Sequence, residues 1–215
     1  MRTIEVVTKD GVALSDAEIG EMADLCAGSS GWGPGDLSKQ AEAWVLAGQA
    51  RENGRLEGFV FSTLERIGGT PSVVLGPVSV RRGRGRSAVL RALMHEQFHR
   101  ARMAFPDEDV LVAACLTGAG GLEVFEELTE VRPADGVRIN GEERAWGRRL
   151  AKRYGAAALD EKLMHASAPE GAHGVDHESL KSLAAAALLA PGDDVTLAWG
   201  WAYAEFLDGF TQPGS

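Results

Sequence analysis

Two short stretches hold the residue types and spacings that could do chemistry. The first is Arg81-Arg82-Gly83-Arg84-Gly85-Arg86-Ser87. Glycines let the backbone approach a ligand closely. Where such a run opens a helix, the first amides have no intrahelical partner and point out of its end. The helix dipole adds partial positive charge there. Together these make an anion site suited to phosphate, and flanking arginines strengthen it. The second stretch is His95-Glu96-Gln97-Phe98-His99, which fits H-E-x-x-H. Two histidines four apart on a helix can chelate zinc while the glutamate activates water, with Glu123 or Glu127 as a third ligand.

A helical wheel separates the two. At roughly 100° per residue, Leu90, Leu93, Met94, Gln97, Phe98 and Ala101 share one arc, while His95 and His99 fall beside Arg91 and Arg102. If the apolar arc packs on a sheet, both histidines face solvent next to cations. That disfavours a bound dication, so surface histidines are expected and no metal. A zinc hydrolase stands as the third reading. His165, His173 and His177 are spaced too irregularly to read as a site.

The elements around the glycines decide what they serve, because glycine alone is a weak signal in a chain with 27 of them. Ile4 to Val7 predicts a first strand, and Ser15 with Glu18 a capping box opening a helix that carries Ile19, Met22, Ala23 and Cys26. Gly28 to Gly35 reads as a loop containing Trp32, and Asp36 to Trp44 as a second helix. Val45 to Glu52 and Arg55 to Arg66 are strand-like runs joined by Asn53-Gly54. That dipeptide suits a type I′ hairpin turn. Ser72 to Val80 makes a third strand, so the three form an antiparallel meander. The glycine run follows at once and leads into a long helix over Ser87 to Met103. Asp109 to Leu116 reads as a buried strand, Leu122 to Leu128 as a short helix, and Glu130 to Arg132 as the start of another strand. No Walker pattern is present. A Rossmann unit would set its glycines between parallel strands rather than after a meander.

In this order of elements, with LGPVSV followed by RGRGRSAVLRALM, the sequence resembles the Gcn5-related N-acetyltransferase (GNAT) superfamily over roughly residues 3 to 135. The resemblance implies an α/β (α+β) fold with a mixed, mostly antiparallel central sheet flanked by helices. The family's [Q/R]-x-x-G-x-[G/A] motif falls on Arg82, Gly85 and Ser87. By that similarity Arg82, Gly83, Arg84, Gly85, Arg86 and Ser87 would hold the pyrophosphate of acetyl-CoA or a related acyl-CoA. The backbone of Val78, Ser79 and Val80 would pair with the pantetheine arm. Three departures stand out. The last motif position is serine, the link from Val80 to the glycines is short, and Phe125 stands where the family often has a proton-donating tyrosine. Acyl transfer also needs a polarised carbonyl and a base. Glu57, Glu65 and Ser79 are the candidates in sequence, each also readable as an ordinary strand residue. Cys115 is expected to act as a small buried hydrophobe.

Beyond residue 140 the pattern thins. Glu142 to Tyr154 predicts an arginine-rich helix stopped by Gly155, Leu159 to His165 a strand, Pro169 to Asp176 a loop, and Leu180 to Leu189 an alanine-rich helix. Val195, Leu197, Trp199, Trp201 and Tyr203 alternate with small or polar residues, as in a strand with one bulky face. The chain is therefore expected to divide into an acyl-CoA-binding domain over 1–139 and an extension over 140–215. The extension would pack on the core or on a partner subunit, as in a homodimer. Trp32, Trp199, Trp201 and Tyr203 are either ordinary packing or the lining of an acceptor cleft.

Composition bounds the rest. In 215 residues, 31 acids against 22 Lys and Arg give a net charge of −9, a poor balance for a nucleic-acid binder. Seven arginines between Arg81 and Arg102 make a local basic patch that suits a small anion. Two cysteines rule out a disulfide framework. With neither a signal pattern nor a bilayer-length apolar run, a cytoplasmic protein away from membranes is expected. The favoured function is transfer of an acyl group from acyl-CoA to a primary amine of a small molecule or peptide. The alternative is a catalytically inactive module of the same fold that binds CoA or a partner.

Overall fold

A computed structural model of the chain describes residues 3–27, 31–168, 175–176 and 188–211. Its centre is one sheet in the order β1-β2-β3-β4-β5-β10-β8-β7, with β6 paired to β10 and β9 to β4. The strands are β1 (Ile4–Asp10), β2 (Leu46–Glu52), β3 (Arg55–Ile67), β4 (Thr70–Val80), β5 (Val110–Leu116), β6 (Thr129–Arg132), β7 (Leu159–Asp160), β8 (His165–Ala166), β9 (Val175–Asp176) and β10 (Val195–Ala202). Every pairing is antiparallel except β4 with β5 and β4 with β9. The sheet is mixed and mostly antiparallel, with helices on both faces, as the resemblance implies.

The meander forms where alternation and turn chemistry agree. Asn53 and Gly54 both adopt positive φ (52° and 79°), as the type I′ turn requires. Helix α1 (Asp16–Cys26) starts at a complete capping box. The Ser15 amide donates to Glu18 Oε2 at 3.0 Å, and the Glu18 amide donates to Ser15 Oγ at 3.3 Å. Helix α2 (Pro34–Ala43) begins two residues before the expected Asp36. Pro34 supplies the preset φ of a first turn, and the Gly33 amide donates to Asp36.

Both faces of the sheet are covered. Helix α3 (Arg86–Ala104) lies on one face with Leu90, Leu93, Met94, Phe98 and Ala101 inward, joined by α5 (Ala204–Leu207). On the other face α1 and α2 cover β2 and β3, and α4 (Gly141–Tyr154) covers β5 and β10. Strand β10 shows why its bulky residues alternate. Val195, Leu197 and Trp199 face α4, while Ala198 and Ala202 pack on the α3 side.

Four expectations change. Leu159 to His165 is not one strand but a tight hairpin of β7 and β8. Asp160 Oδ1 accepts from the amides of Lys162 and Leu163 and turns the chain. The short helix expected over Leu122–Leu128 is a 3₁₀ segment over Ala119–Phe125, since its two glycines disfavour a full α-turn. His95 and His99 are half-buried rather than solvent-facing. Phe210 covers them, its ring 4.9 Å from that of His95 and its carbonyl 2.8 Å from His99 Nδ1. Of the loop expected over Pro169–Asp176, Val175 and Asp176 instead form β9, held by the edge of β4 that β5 leaves free; residues 169–174, most of the 180–189 helix, and His173 and His177 lie outside the described residues.

Candidate functional site

Strand β4 has two edges with different neighbours. Along one, β3 pairs from Thr70 to Val80. Along the other, β5 pairs only with Ser72, Val73 and Val74. Beyond that point β4 and β5 part, leaving a fork open toward their C-terminal ends. Two residues of β9 take up the freed edge, with Val78 opposite Val175 and Ser79 opposite Asp176. β9 also lies against β5 and the Ala119–Phe125 segment.

Five residues, 81–85, link β4 to α3. Gly83 adopts φ +150°, a conformation that side chains rarely take, and the space where a Cβ would stand is open. The Arg86 amide folds back to Gly83 O and the Val89 amide to Gly85 O. Among the described residues, no acceptor meets the amides of Gly83, Arg84, Gly85 or Ser87. These unpaired amides sit at the positive end of a 19-residue helix. Gly83, Arg84 and Gly85 line a cleft of about 460 Å³ together with Arg81, Arg82 and Arg86, with Glu52, Arg55 and Glu57 also in its lining, while Ser87 lies at a separate small pocket beside Arg91 and Glu123. The corner therefore has the donors, the charge and the room for a diphosphate.

The arginines are less bare than their spacing implies. Arg81 donates to Leu56 O at 3.0 Å and stands 3.3 Å from Glu57. Arg86 is 3.5 Å from Glu123, Arg100 pairs with Glu96 at 2.7 Å, and Arg102 with Asp208 at 3.1 Å. Arg84 has no ion-pair partner among the described residues, and Arg82 is exposed at the rim.

The three candidate catalytic residues are not brought together. Glu57 lies at the phosphate end beside Arg55 and Arg81. Glu65, eight residues further along β3, is roughly 26 Å away at strand rise and is bound by Arg153 of α4. Ser79 is buried in β4, and its hydroxyl meets no hydrogen-bond partner among the described residues. Phe125 is buried in the α3-side core. Burial pushes the Cys115 thiol far above its usual range, so it stays protonated and apolar. In the H-E-x-x-H stretch each polar side chain serves a different partner. His95 Nε2 meets Glu127 at 2.8 Å, His99 meets Phe210 O, and Glu96 accepts from Thr8 and Arg100. Among the described residues no three His, Cys, Asp or Glu side chains gather as a metal site.

Sequence reasoning missed the residue that closes the fork. Tyr154, in the last turn of α4, reaches both strands where they part. Its Oη lies 2.9 Å from Leu75 O and 2.9 Å from Ala113 O. Burial, then the nearby Cys115, push its phenol well up, so it keeps the proton it donates. Trp44 stands beside it and fills the space over Gly76. Nothing local in the sequence signals this contact across 79 residues. Of the four aromatics considered for an acceptor cleft, Trp199, Trp201 and Tyr203 line a common pocket. With Trp146, Asp109, Glu130, Glu142 and Glu143 they enclose about 300 Å³. Trp32 is instead packed in the α1–α2 core.

No family model and no curated protein matches the chain. Solved structures do resemble it. A ribosomal-protein-alanine N-acetyltransferase from Brucella melitensis biovar Abortus 2308 is 20% identical and aligns over 58% of this chain and 90% of its own, with a TM-score of 0.41. An aminoglycoside 6′-N-acetyltransferase from Enterococcus faecium is 16% identical over 53% and 64%, with a TM-score of 0.40. A GNAT family acetyltransferase from Brucella melitensis in complex with acetyl-CoA is 22% identical over 50% and 75%, with a TM-score of 0.35.

Proposed function

We propose that the chain is an acyl-CoA-dependent N-acyltransferase acting on a primary amine. The observation that carries this reading is the cradle at Gly83 to Ser87, where unpaired amides at a helix end open on an arginine-rimmed cleft. In this reading Gly83, Gly85 and Ser87 bind the diphosphate through backbone N–H groups, and Arg82, Arg84 and Arg86 offset its charge. Val78, Ser79 and Val80 receive the pantetheine arm. Acyl-CoA supplies the thioester. The amine nitrogen bonds to the acyl carbon, the carbon–sulfur bond breaks, and the amine proton goes to base while the thiolate is protonated.

The test is release of free thiol from acetyl-CoA against a panel of amines, together with CoA binding by a Gly85→Glu variant. A carboxylate at the cradle opposes the diphosphate. CoA affinity should fall roughly hundredfold, equivalent to about 2.7 kcal/mol, with an unchanged unfolding curve. Wild-type CoA affinity in that variant would rule the cradle out.

One observation favours a second reading, a CoA- or partner-binding module without turnover. β9 occupies the edge of β4 along the fork, while Phe125 is buried in the core. Thermal stabilisation by CoA with no thiol released from any amine would select it.

A further inference from the structure

We infer that β9 is a built-in competitor for the arm of the acyl carrier, so that docking of residues 175–176 and binding of CoA exclude each other. The inference rests on the reading of Gly83 to Ser87 as a diphosphate cradle, and concerns how that same site is regulated.

The argument is one of available edges. A ligand anchored by its diphosphate at the end of β4 can reach the fork only along β4. One edge of β4 is taken by β3 as far as Val80. The other is free of β5 beyond Val74. An open strand edge presents unpaired N–H and C=O groups and accepts any extended chain with amides of its own, whether peptide or a diamide such as pantetheine. Here the chain supplies that partner itself, at Val78 and Ser79. A two-residue strand holds few hydrogen bonds, so it can yield to a ligand that is also gripped at its other end. The described residues that line the cleft at the cradle belong to β1, β2, β3, the 81–85 link and the start of α3. A bare diphosphate therefore enters without disturbing β9, whereas CoA must displace it.

Hydrogen exchange on the unmodified full chain tests this, with CoA as one probe and ADP, which lacks the arm, as the other. With CoA, the amides of residues 175–176 should exchange faster while those of 78–80 stay protected. With ADP, neither should change. A variant carrying Val175→Pro and Asp176→Pro removes two amides from the pairing. If β9 is docked in about nine molecules of ten, that variant should bind CoA roughly tenfold tighter, with ADP affinity unchanged. Exchange at 175–176 indifferent to saturating CoA, with the variant at wild-type CoA affinity, would overturn the competitor and leave the cradle standing. Failure of both CoA and ADP to bind the unmodified chain would overturn the cradle, and the inference with it.

Discussion

Glu18 joins three parts of the structure at one carboxylate. It accepts from Lys9 of β1 at 2.7 Å, from the amide and Oγ of Ser15, and from Gln49 Nε2 of β2 at 3.4 Å. The Lys9 hydrogen bond first, and then the Ser15 amide, hold its pKa down to about 2 from an ordinary 4.5. A lowered folded-state pKa means stability that is present above pH 4.5 and lost as pH falls toward 2. Glu18→Ala should cost about 1 kcal/mol at pH 7, mostly as a lost cap because Lys9 is solvated. In urea titrations the gap from wild type should shrink steadily below pH 4.5. Tyr154→Phe tests a different residue-scale contact. A phenol has one proton for two carbonyls, and removing it leaves Leu75 O and Ala113 O without that donor. The expected loss is about 1–2 kcal/mol, read from the urea midpoint at constant slope. The sequence showed where arginines and glycines gather, since both lie in one run. It did not show which acids meet them. Glu57, Glu123 and Asp208 arrive from other elements, and the patch that looked bare is largely paired.

At the scale of elements, close packing can be tested with glycines. A Cβ at Gly76 in β4 would stand 2.4 Å from the Trp44 ring. That ring is held by Gln40 through its Nε1 and lies under Arg153. Gly76→Ala should therefore cost about 1–3 kcal/mol by overpacking. At Gly147 in α4 the Cβ would meet Met164 Sδ at 2.5 Å. A thioether adapts, and alanine gains about 1 kcal/mol of helix propensity, so in thermal melts Gly147→Ala should stay near the wild-type midpoint while Gly76→Ala falls below it. The meander, α1 and α4 could be read in advance because their turns and caps are local: Asn53-Gly54, Ser15 with Glu18, Gly155 at φ +77°. β7 and β8 were merged because Asp160 turns the chain with its side chain, without a glycine pair. β9 carries no pattern of its own, and only the vacant edge of β4 explains its place.

For the molecule as a whole, the division at residue 139 has to be set beside β10. This strand comes from the later segment yet lies between β5 and β8, inside the sheet. Its Trp199 is buried against the α4-side core. A chain ended at residue 139 would expose the edge of β5 and lose the cover of Leu111 and Ala113. It should show no cooperative thermal transition, whereas the full chain should show one, both followed by circular dichroism. The sequence could not place β10, because pairing between residues 110–116 and 195–202 is a long-range choice made by burial on both faces. That choice also has a consequence in time. A ribosome delivers β5 some 80 residues before the strand that will lie against it, and the intervening chain must emerge first. Throughout that interval the edge of β5 turned away from β4 has no strand beside it, so in the nascent protein its unpaired amides and carbonyls stay open to other chains until residue 202 is free.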